Sequence, residues 1–244
     1  KIGCRDGSDR YNHLKMVIAV GVVMGLHAAF EIFVGGTAIS WSVIWTYLPV
    51  SLLYISSMAL GYLGLRYIEL SVSSPICNSS GALVAVLTLL FVGGEDYSPL
   101  ALLAIALVCT GAIGLGVVDA TEDPELRLER QKASNYKYAK SFLALALPAA
   151  YCLLDAAGTF ADNRVLEILT DRYINAGMFA TLRECADQAE ASANCAYELT
   201  FLAAAAFCFI YVVVIKKDRL VSKMEAPKYF GAICETAGQF AYIY

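Results

Sequence analysis

Long apolar stretches separated by short charged clusters constrain the fold of this chain more than any other feature of its sequence. Most stretches are about 20 residues long, the length that a helix needs to cross a hydrocarbon core of roughly 30 Å. Only 16% of the 244 residues are charged, whereas soluble domains carry about 25%. The stretches lack the alternation of membrane strands, and unpaired backbone is not tolerated in lipid. The sequence therefore predicts an all-α protein that crosses the cell membrane several times.

Six complete spans and the start of a seventh are predicted. Their approximate bounds are Leu14–Val34, Val43–Leu65, Ser71–Val92, Pro99–Val118, Ser141–Ala161, Leu199–Ile215, and from Tyr229 onward. The stretch between the fifth and sixth spans is predicted to be a long loop with a helix-like piece at Arg164–Asp187. That piece either lies on the membrane surface or caps the bundle, or the whole stretch is an ordinary solvated loop.

Lys and Arg divide unevenly between the two sides that alternating spans define. One side holds 15 of the 18 Lys and Arg residues, and the other holds 3. The segments of the Lys/Arg-rich side are Lys1–Lys15, Arg66–Leu70, Asp119–Lys140 and Lys216–Lys228. Cytoplasmic loops of membrane proteins carry an excess of Lys and Arg, so this positive-inside rule assigns the Lys/Arg-rich side to the cytoplasm.

Several function classes find no support in the sequence. The net charge of −4, with no basic stripe, argues against nucleic acid as a partner. No GxSxG, P-loop or HExxH motif is present, and two histidines limit acid–base chemistry, so no enzyme activity and no cofactor are predicted. The eight cysteines show no CxxC or metal-ligand spacing, so no metal is predicted either. Cys185 and Cys195 could pair in an oxidising space, although free thiols are the favoured interpretation.

Residues 61–75 read Gly-Tyr-Leu-Gly-Leu-Arg-Tyr-Ile-Glu-Leu-Ser-Val-Ser-Ser-Pro, and the following helix ends in Gly94-Glu95. This pattern resembles the EamA-like family of the drug/metabolite transporter superfamily. In that family a helix ends in an aromatic, Gly and Leu-Arg-Tyr signature, a Ser/Ala-rich turn follows, and the next helix ends in Gly-Glu. A matching stretch, Glu235–Tyr244, lies in the second half, where Gly238 can be aligned with Gly61.

The resemblance implies a bundle of two five-helix repeats in inverted orientation, incomplete in this sequence. The first repeat would occupy residues 1–118 without its first helix. A linker at 119–140 would follow, and a second repeat at 141–244 would be cut short in its third helix. The chain starts at Lys1 and ends inside an apolar run, in keeping with absent first and last helices. The family's usual orientation places the linker outside, opposite to the side given by the Lys and Arg count.

Ionisable groups inside the predicted spans are candidates for function because they are costly in hydrocarbon, by about 2.5–3.5 kcal/mol on insertion scales. His27 and Glu31 lie four residues apart and share one helix face. They are predicted to couple transport to protons, or else to form a satisfied pair near the helix end. Asp155 and Glu235 are predicted to serve in both proton coupling and substrate binding. Glu198, at the start of the sixth span, is predicted to lie at the interface.

The predicted substrate-binding residues are polar or aromatic side chains within the spans: Tyr62, Asn78, Ser79, Ser80, Tyr151, Asp155, Thr159, Glu235 and Gln239. Three of them recur at every fourth residue after Pro148. Three others follow Pro75, which can loosen a helix, and transporter sites are often built from interrupted helices. Alternatively, these groups only join helices through hydrogen bonds, at about 0.6 kcal/mol each on average.

These features predict a secondary transporter that moves a small polar or amphipathic metabolite by alternating access, with coupling to protons suggested by the buried acids. Its partners would be the substrate and the lipid bilayer. Small residues in the fourth span, such as Gly111 and Gly114, also predict a helix-packing or homodimer surface. The alternatives are a polytopic membrane enzyme acting on a lipid-linked substrate, and a membrane scaffold without transport activity.

Overall fold

The computed structural model describes residues 9–65, 67, 70–92, 98–121, 123, 125 and 142–243. Side chains are not described at 71, 119–120, 142–144 and 239–243. In chain order the helices are α1 (Asn12–Phe30), α2 (Trp41–Gly64), α3 (Leu70–Cys77), α4 (Ser80–Phe91), α5 (Pro99–Thr121), α6 (Phe142–Asn175), α7 (Leu182–Phe209) and α8 (Ser222–Ile243). Two of them end in π-helical turns, at Glu31–Gly35 after α1 and at Ile210–Ile215 after α7. The described residues contain no strand, which confirms the all-α prediction.

Five helical segments of the described chain are long and apolar enough to cross a membrane. They are Asn12–Gly35, Trp41–Gly64, Val72–Phe91, Pro99–Val118 and Leu182–Ile215. The length and apolar composition of these segments confirm that the chain has membrane-spanning character. The helices at the fifth and seventh predicted spans, α6 and α8, form but are not among these five. The two-repeat organisation with boundaries 1–118, 119–140 and 141–244 stays a prediction.

Two of the packed helix pairs, α1 with α7 and α2 with α6, run in opposite directions. Along α1 and α7, Lys15 pairs with Asp218 just beyond the end of α7, whereas His27 pairs with Glu198 further back along it. Along α2 and α6, Gly64 lies near Pro148, and Tyr47 at the other end of α2 bonds to Asp162. These contacts set the four helices in the alternating order that the uneven Lys and Arg distribution predicts.

The tightest helix contact joins α1 to α7 through two glycines. A Cβ atom built on Gly21 would lie 2.5 Å from the Ala205 Cβ and 2.6 Å from the Phe201 carbonyl oxygen. A Cβ on Gly25 would lie 2.8 Å from the Leu202 side chain. Glycines four residues apart let two helix backbones approach closely in a membrane, where packing and polar contacts replace the hydrophobic effect. The first and sixth predicted spans are therefore held together by close packing of complementary helix surfaces.

The prediction of a long loop at residues 162–198 was wrong. Helix α6 continues through Asn175 and α7 begins at Leu182, so only six residues connect them. At 34 residues, α6 is about 51 Å long at 1.5 Å per residue. The polar composition suggested a loop, but the polar side chains bind neighbouring helices: Tyr173 bonds to Ser192, and Arg172 donates to Thr46 on α2.

Helix α7 starts with a capping box, a local signal for its true beginning. Thr181 accepts a hydrogen bond from the Glu184 backbone N–H at 3.2 Å, and the Glu184 carboxylate accepts one from the Thr181 N–H at 3.2 Å. These two bonds satisfy donors that the first turn of a helix leaves free. The sixth span therefore begins 17 residues earlier than the apolar pattern predicts.

The third predicted span is broken, as its proline and polar residues suggest. Helix α3 ends at Cys77, α4 begins at Ser80, and Asn78 and Ser79 form the turn between them. Pro75 lies inside α3, where it lacks the N–H that would bond to the preceding turn. The break places the start of α4 against α6, where the polar residues of that helix lie.

Candidate functional site

The candidate site lies where α2, α4, α6 and α8 meet. Its first link is between Tyr62 on α2 and Glu235 on α8, which come from opposite halves of the chain. The Tyr62 hydroxyl donates to the Glu235 carboxylate and lies 2.8 and 2.9 Å from its two oxygens. Glu235 is half-buried in the protein and sits one turn before the part of α8 whose side chains are not described. This bond ties two predicted substrate-binding residues directly together.

Tyr151 on α6 stands beside this pair because a glycine leaves room for its ring. A Cβ atom on Gly61 would lie 2.9 Å from Tyr151 Cδ2, so a larger residue at this position would push the ring away. Asp155 lies one helical turn after Tyr151 on α6, and Gly61, against which the Tyr151 ring packs, directly precedes Tyr62 on α2. Gly61, near the end of α2, thus has a physical role, which is to leave room for the Tyr151 ring.

Asp155 is the central acid of α6 and is half-buried. The Ser80 hydroxyl at the start of α4 lies next to its carboxyl. One turn further along, Thr159 donates to the Asp155 backbone carbonyl at 3.1 Å and accepts a hydrogen bond from Tyr54 at 3.1 Å. The spacing of four residues therefore does place Tyr151, Asp155 and Thr159 along one side of α6, facing α2 and α4.

The helix break determines which of the three predicted polar residues after Pro75 reach this site. Ser79 is buried, donates to the Ile76 carbonyl at 2.7 Å and contacts the Cys152 sulfur at 3.3 Å. Asn78 is exposed, and its amide donates to Ser74 on its own turn at 3.2 Å. Ser79 and Ser80 thus face α6, whereas Asn78 is bound locally. The side chain of Gln239 lies outside the described residues.

A second polar group lies between α1 and α7, away from the first. His27 Nδ1 is 2.9 and 3.0 Å from the two carboxylate oxygens of Glu198, and His27 Nε2 is 3.6 Å from Glu31 Oε1. The contact between His27 and Glu31 agrees with their predicted shared face. Glu198 is only 4% exposed and occurs well inside α7, whereas its placement at the membrane interface stays a prediction.

Sequence reasoning missed several partners of the predicted residues. Glu198 completes the His27 group, Tyr54 reaches Thr159, and Cys152 contacts Ser79. Each of these pairs is separated by at least 73 residues, so no local spacing links its members. The helical period does predict that Glu198 and Cys195 lie near each other on α7, and both are buried.

Comparison of the chain with protein-family models, with curated proteins and with solved structures finds no match in any of the three. The EamA-like resemblance of Gly61–Glu95 and Glu235–Tyr244 therefore remains a hypothesis from those residues. Within the described part of the chain, no group of three or more His, Cys, Asp or Glu side chains is arranged to hold a metal ion. The described cysteines, including Cys185 and Cys195, are free thiols.

The chemistry of the first group suits recognition of a polar molecule. Carboxylates at Asp155 and Glu235 can accept hydrogen bonds or pair with a cation, and the hydroxyls of Tyr62, Tyr151 and Ser80 can donate or accept. Aromatic rings beside the acids offer flat apolar surface and can also attract a cation. The group thus combines charge, hydrogen bonding and apolar contact between helices of the two halves of the chain.

An open cavity of about 710 Å³ lies next to the group, between the ends of α4 and α6 on the Lys/Arg-poor side. Its lining residues are mixed in character: Thr88, Val92, Phe160, Asn163, Arg164, Leu166, Glu167, Thr170 and Asp171. Thr159 of the α6 face directly precedes Phe160 in this lining. The cavity therefore opens on the same helix pair, α4 and α6, that holds Ser80 and Asp155.

Proposed function

We propose that this protein is a secondary transporter that moves a small polar or amphipathic metabolite across the cell membrane by alternating access. The observation that carries the proposal is the hydrogen bond of Tyr62 to Glu235, beside the place where the Tyr151 ring packs against Gly61. Acids inside membrane-spanning helices are costly and usually face a partner or a water-filled cavity. Here Glu235 of α8 bonds to Tyr62 of α2, and Asp155 of α6 lies one turn after Tyr151, whose ring packs against the glycine before Tyr62.

The distribution of the site residues over the two predicted repeats supports alternating access. Tyr62 belongs to the first predicted repeat, whereas Tyr151, Asp155 and Glu235 belong to the second. A site at the boundary of two repeats opens to one side or the other as one repeat rocks against its partner. The interrupted span α3–α4 supplies Ser80 at its break, which is the kind of helix interruption that such sites use.

The substrate would be recognised by complementary charge and shape. An ammonium or hydroxyl group would bind Asp155 and Glu235, and an apolar or planar portion would pack on the tyrosine rings. This favours cationic or zwitterionic metabolites with some apolar surface over compounds that carry negative charge alone. We also propose that transport is coupled to the proton gradient through ionisable groups inside the spans.

Uptake into proteoliposomes tests the proposal directly. The full-length protein is reconstituted, and uptake of a radiolabelled panel of amino acids, nucleotide sugars and lipophilic amines is measured with and without a pH gradient. We expect a saturable uptake of at least one cationic or zwitterionic compound. Asp155→Asn and Glu235→Gln should each lower the initial rate at least tenfold, because each removes a charge while preserving side-chain volume.

The matched control is Asp187→Asn on α7, which makes the same chemical change at an exposed acid that pairs with Arg183 at 3.9 Å. It should transport as the wild type does. Unchanged uptake by both the Asp155 and the Glu235 variants would exclude these residues as the substrate site. An absence of uptake for every compound in the panel, with the protein folded and reconstituted, would count against the transport function.

A further inference from the structure

His27, Glu31 and Glu198 form a group of three ionisable side chains between α1 and α7 that the substrate site does not use. Their side chains are 23%, 34% and 6% exposed, in that order. Glu31 lies in the π-helical turn at the end of the span, where its carboxylate also accepts a hydrogen bond from Thr37 at 3.4 Å. The exposed fraction of the side chain thus falls from Glu31 to His27 and from His27 to Glu198.

Both ring nitrogens of His27 face carboxylates. Nδ1 lies at hydrogen-bond distance from Glu198, at 2.9 and 3.0 Å, and Nε2 lies 3.6 Å from Glu31, an ion-pair distance beyond hydrogen-bond length. A neutral imidazole has one N–H and one lone pair, so one of its nitrogens would present a lone pair to a carboxylate. The geometry fits either a doubly protonated ring or a ring with one protonated carboxyl group. The group is therefore built to hold at least one exchangeable proton.

No Lys or Arg of the described residues takes part in this group. On α1, the ionisable groups facing Glu198 are His27 and Glu31, and on α7 itself the Cys195 thiol lies close to both acids. From α2, Tyr47 and Tyr54 approach α7 at Tyr197. From α6, Asp162 approaches α7 at Glu190. With two carboxylates and one imidazolium the group carries a net negative charge, which one further proton neutralises.

We infer that Glu198 and His27 form the proton-binding site of this protein, with Glu31 as the group that passes the proton between the pair and the Lys/Arg-poor side. The inference rests on the proposed transport function for its role in coupling, although proton binding itself does not. The proton adds to a carboxylate oxygen of Glu198 or to a nitrogen of His27, and it leaves from the same atom. No other bond is made or broken. Coupling is thus placed on α1 and α7, apart from the substrate acids Asp155 and Glu235.

Infrared difference spectroscopy tests proton binding without any substrate. Spectra of the full-length protein in lipid vesicles are recorded between neutral and acidic buffer, and the carboxyl C=O stretching band that appears on protonation is followed. We expect part of this band to be missing in Glu198→Gln and shifted in His27→Gln, which retains a hydrogen-bonding side chain beside Glu198. Asp187→Asn, an exposed acid on the same helix, should retain the part of the band that Glu198→Gln loses.

Proton-driven uptake in proteoliposomes tests the coupling role. Glu198→Gln should lower the stimulation of uptake by a pH gradient at least tenfold, while exchange of substrate at equal pH on both sides continues. If a folded Glu198→Gln protein shows the wild-type infrared band, or if its response to the pH gradient is unchanged, the inference is overturned. If no compound is transported but the band is lost in Glu198→Gln, the proposed transport function fails and the proton site stands. Should Glu198→Gln fail to fold, a band and a pH response unchanged in His27→Gln would overturn the inference equally.

Discussion

The Tyr62 hydroxyl lies 2.8 and 2.9 Å from the two carboxylate oxygens of Glu235 and bonds α2 to α8. The two residues are 173 positions apart, and this polar contact connects the two halves of the chain. Hydrogen bonds between membrane helices contribute about 0.6 kcal/mol on average and up to roughly 1.7 kcal/mol. Because Glu235 is an acid, its bond to Tyr62 belongs toward the upper end of that range.

Tyr62→Phe removes this bond and preserves the ring. We expect the free energy of unfolding in detergent to fall by about 1–2 kcal/mol, since the Glu235 carboxylate loses a donor in a poorly hydrated place. A thermal unfolding series monitored by size-exclusion chromatography measures the effect. Tyr211→Phe is the control, because the Tyr211 ring contacts with Tyr11 and Lys216 survive the loss of the hydroxyl. Equal melting temperatures for the two variants would contradict the prediction.

Gly21→Ala should destabilise the bundle strongly despite adding a single methyl group. That methyl would lie 2.5 Å from the Ala205 Cβ and 2.6 Å from the Phe201 carbonyl oxygen, so α1 and α7 must separate. Forcing volume into a packed interface costs about 1–3 kcal/mol. Gly111→Ala makes the same change on α5, where nothing lies within 4 Å of the new atom.

The Gly111→Ala protein should unfold at the wild-type temperature or slightly above, because alanine favours a helix by roughly 0.5–1 kcal/mol over glycine. Thermal unfolding of both variants in the same detergent makes the comparison. If Gly21→Ala is as stable as Gly111→Ala, the close approach of α1 and α7 is not present in the folded protein.

Lys15→Met tests a buried ionic contact at the Lys/Arg-rich side of the bundle. Lys15 is 5% exposed and its ammonium lies 2.8 Å from Asp9 and 3.2 Å from Asp218, with the Arg219 carbonyl at 3.2 Å. Removing one partner of a buried ion pair costs about 3–5 kcal/mol, because the remaining charge is left uncompensated. Asp9 is 7% exposed and would be that charge.

Asp218→Asn should cost much less than Lys15→Met, since Asp218 is 34% exposed and Lys15 retains Asp9. Chemical denaturation of both variants gives the two free energies. The order of the two costs is the decisive result, and a larger loss in Asp218→Asn would show that the ammonium is not held mainly by Asp9.

Thr181→Ala removes the cap of α7 outside the apolar part of that helix. Loss of an N-cap side chain costs about 0.5–2 kcal/mol, and here the Glu184 backbone N–H loses its acceptor. We expect faster amide hydrogen exchange confined to the first turn of α7, measured by mass spectrometry. Thr181→Ser retains a hydroxyl and should restore the wild-type exchange rates. Unchanged exchange in Thr181→Ala would indicate that the capping box does not hold this helix start.

The accuracy of the predicted helix bounds differs from one helix to the next. The bounds of the first two apolar helical segments, Asn12–Gly35 and Trp41–Gly64, were predicted to within two residues at each end, because apolar stretches of span length are read directly from composition. The start of α7 was missed by 17 residues. Its first turns are polar and rich in alanine, and a search for lipid-facing apolar stretches assigns such turns to a loop even when they pack against other helices. The capping box at Thr181 was the signal that could have located it.

The sequence by itself determined that the chain is helical and contains apolar helices of membrane-spanning length, and it singled out the ionisable groups within the predicted spans. These properties follow from hydropathy, charge distribution and the period of 3.6 residues, all of which are local. The tertiary structure decided which of those groups meet. Tyr62 reaches Glu235 across 173 residues, and His27 reaches Glu198 across 171 residues where Gly21 and Gly25 let α1 and α7 approach closely. Such pairing depends on helix rotation and register, which no local pattern records.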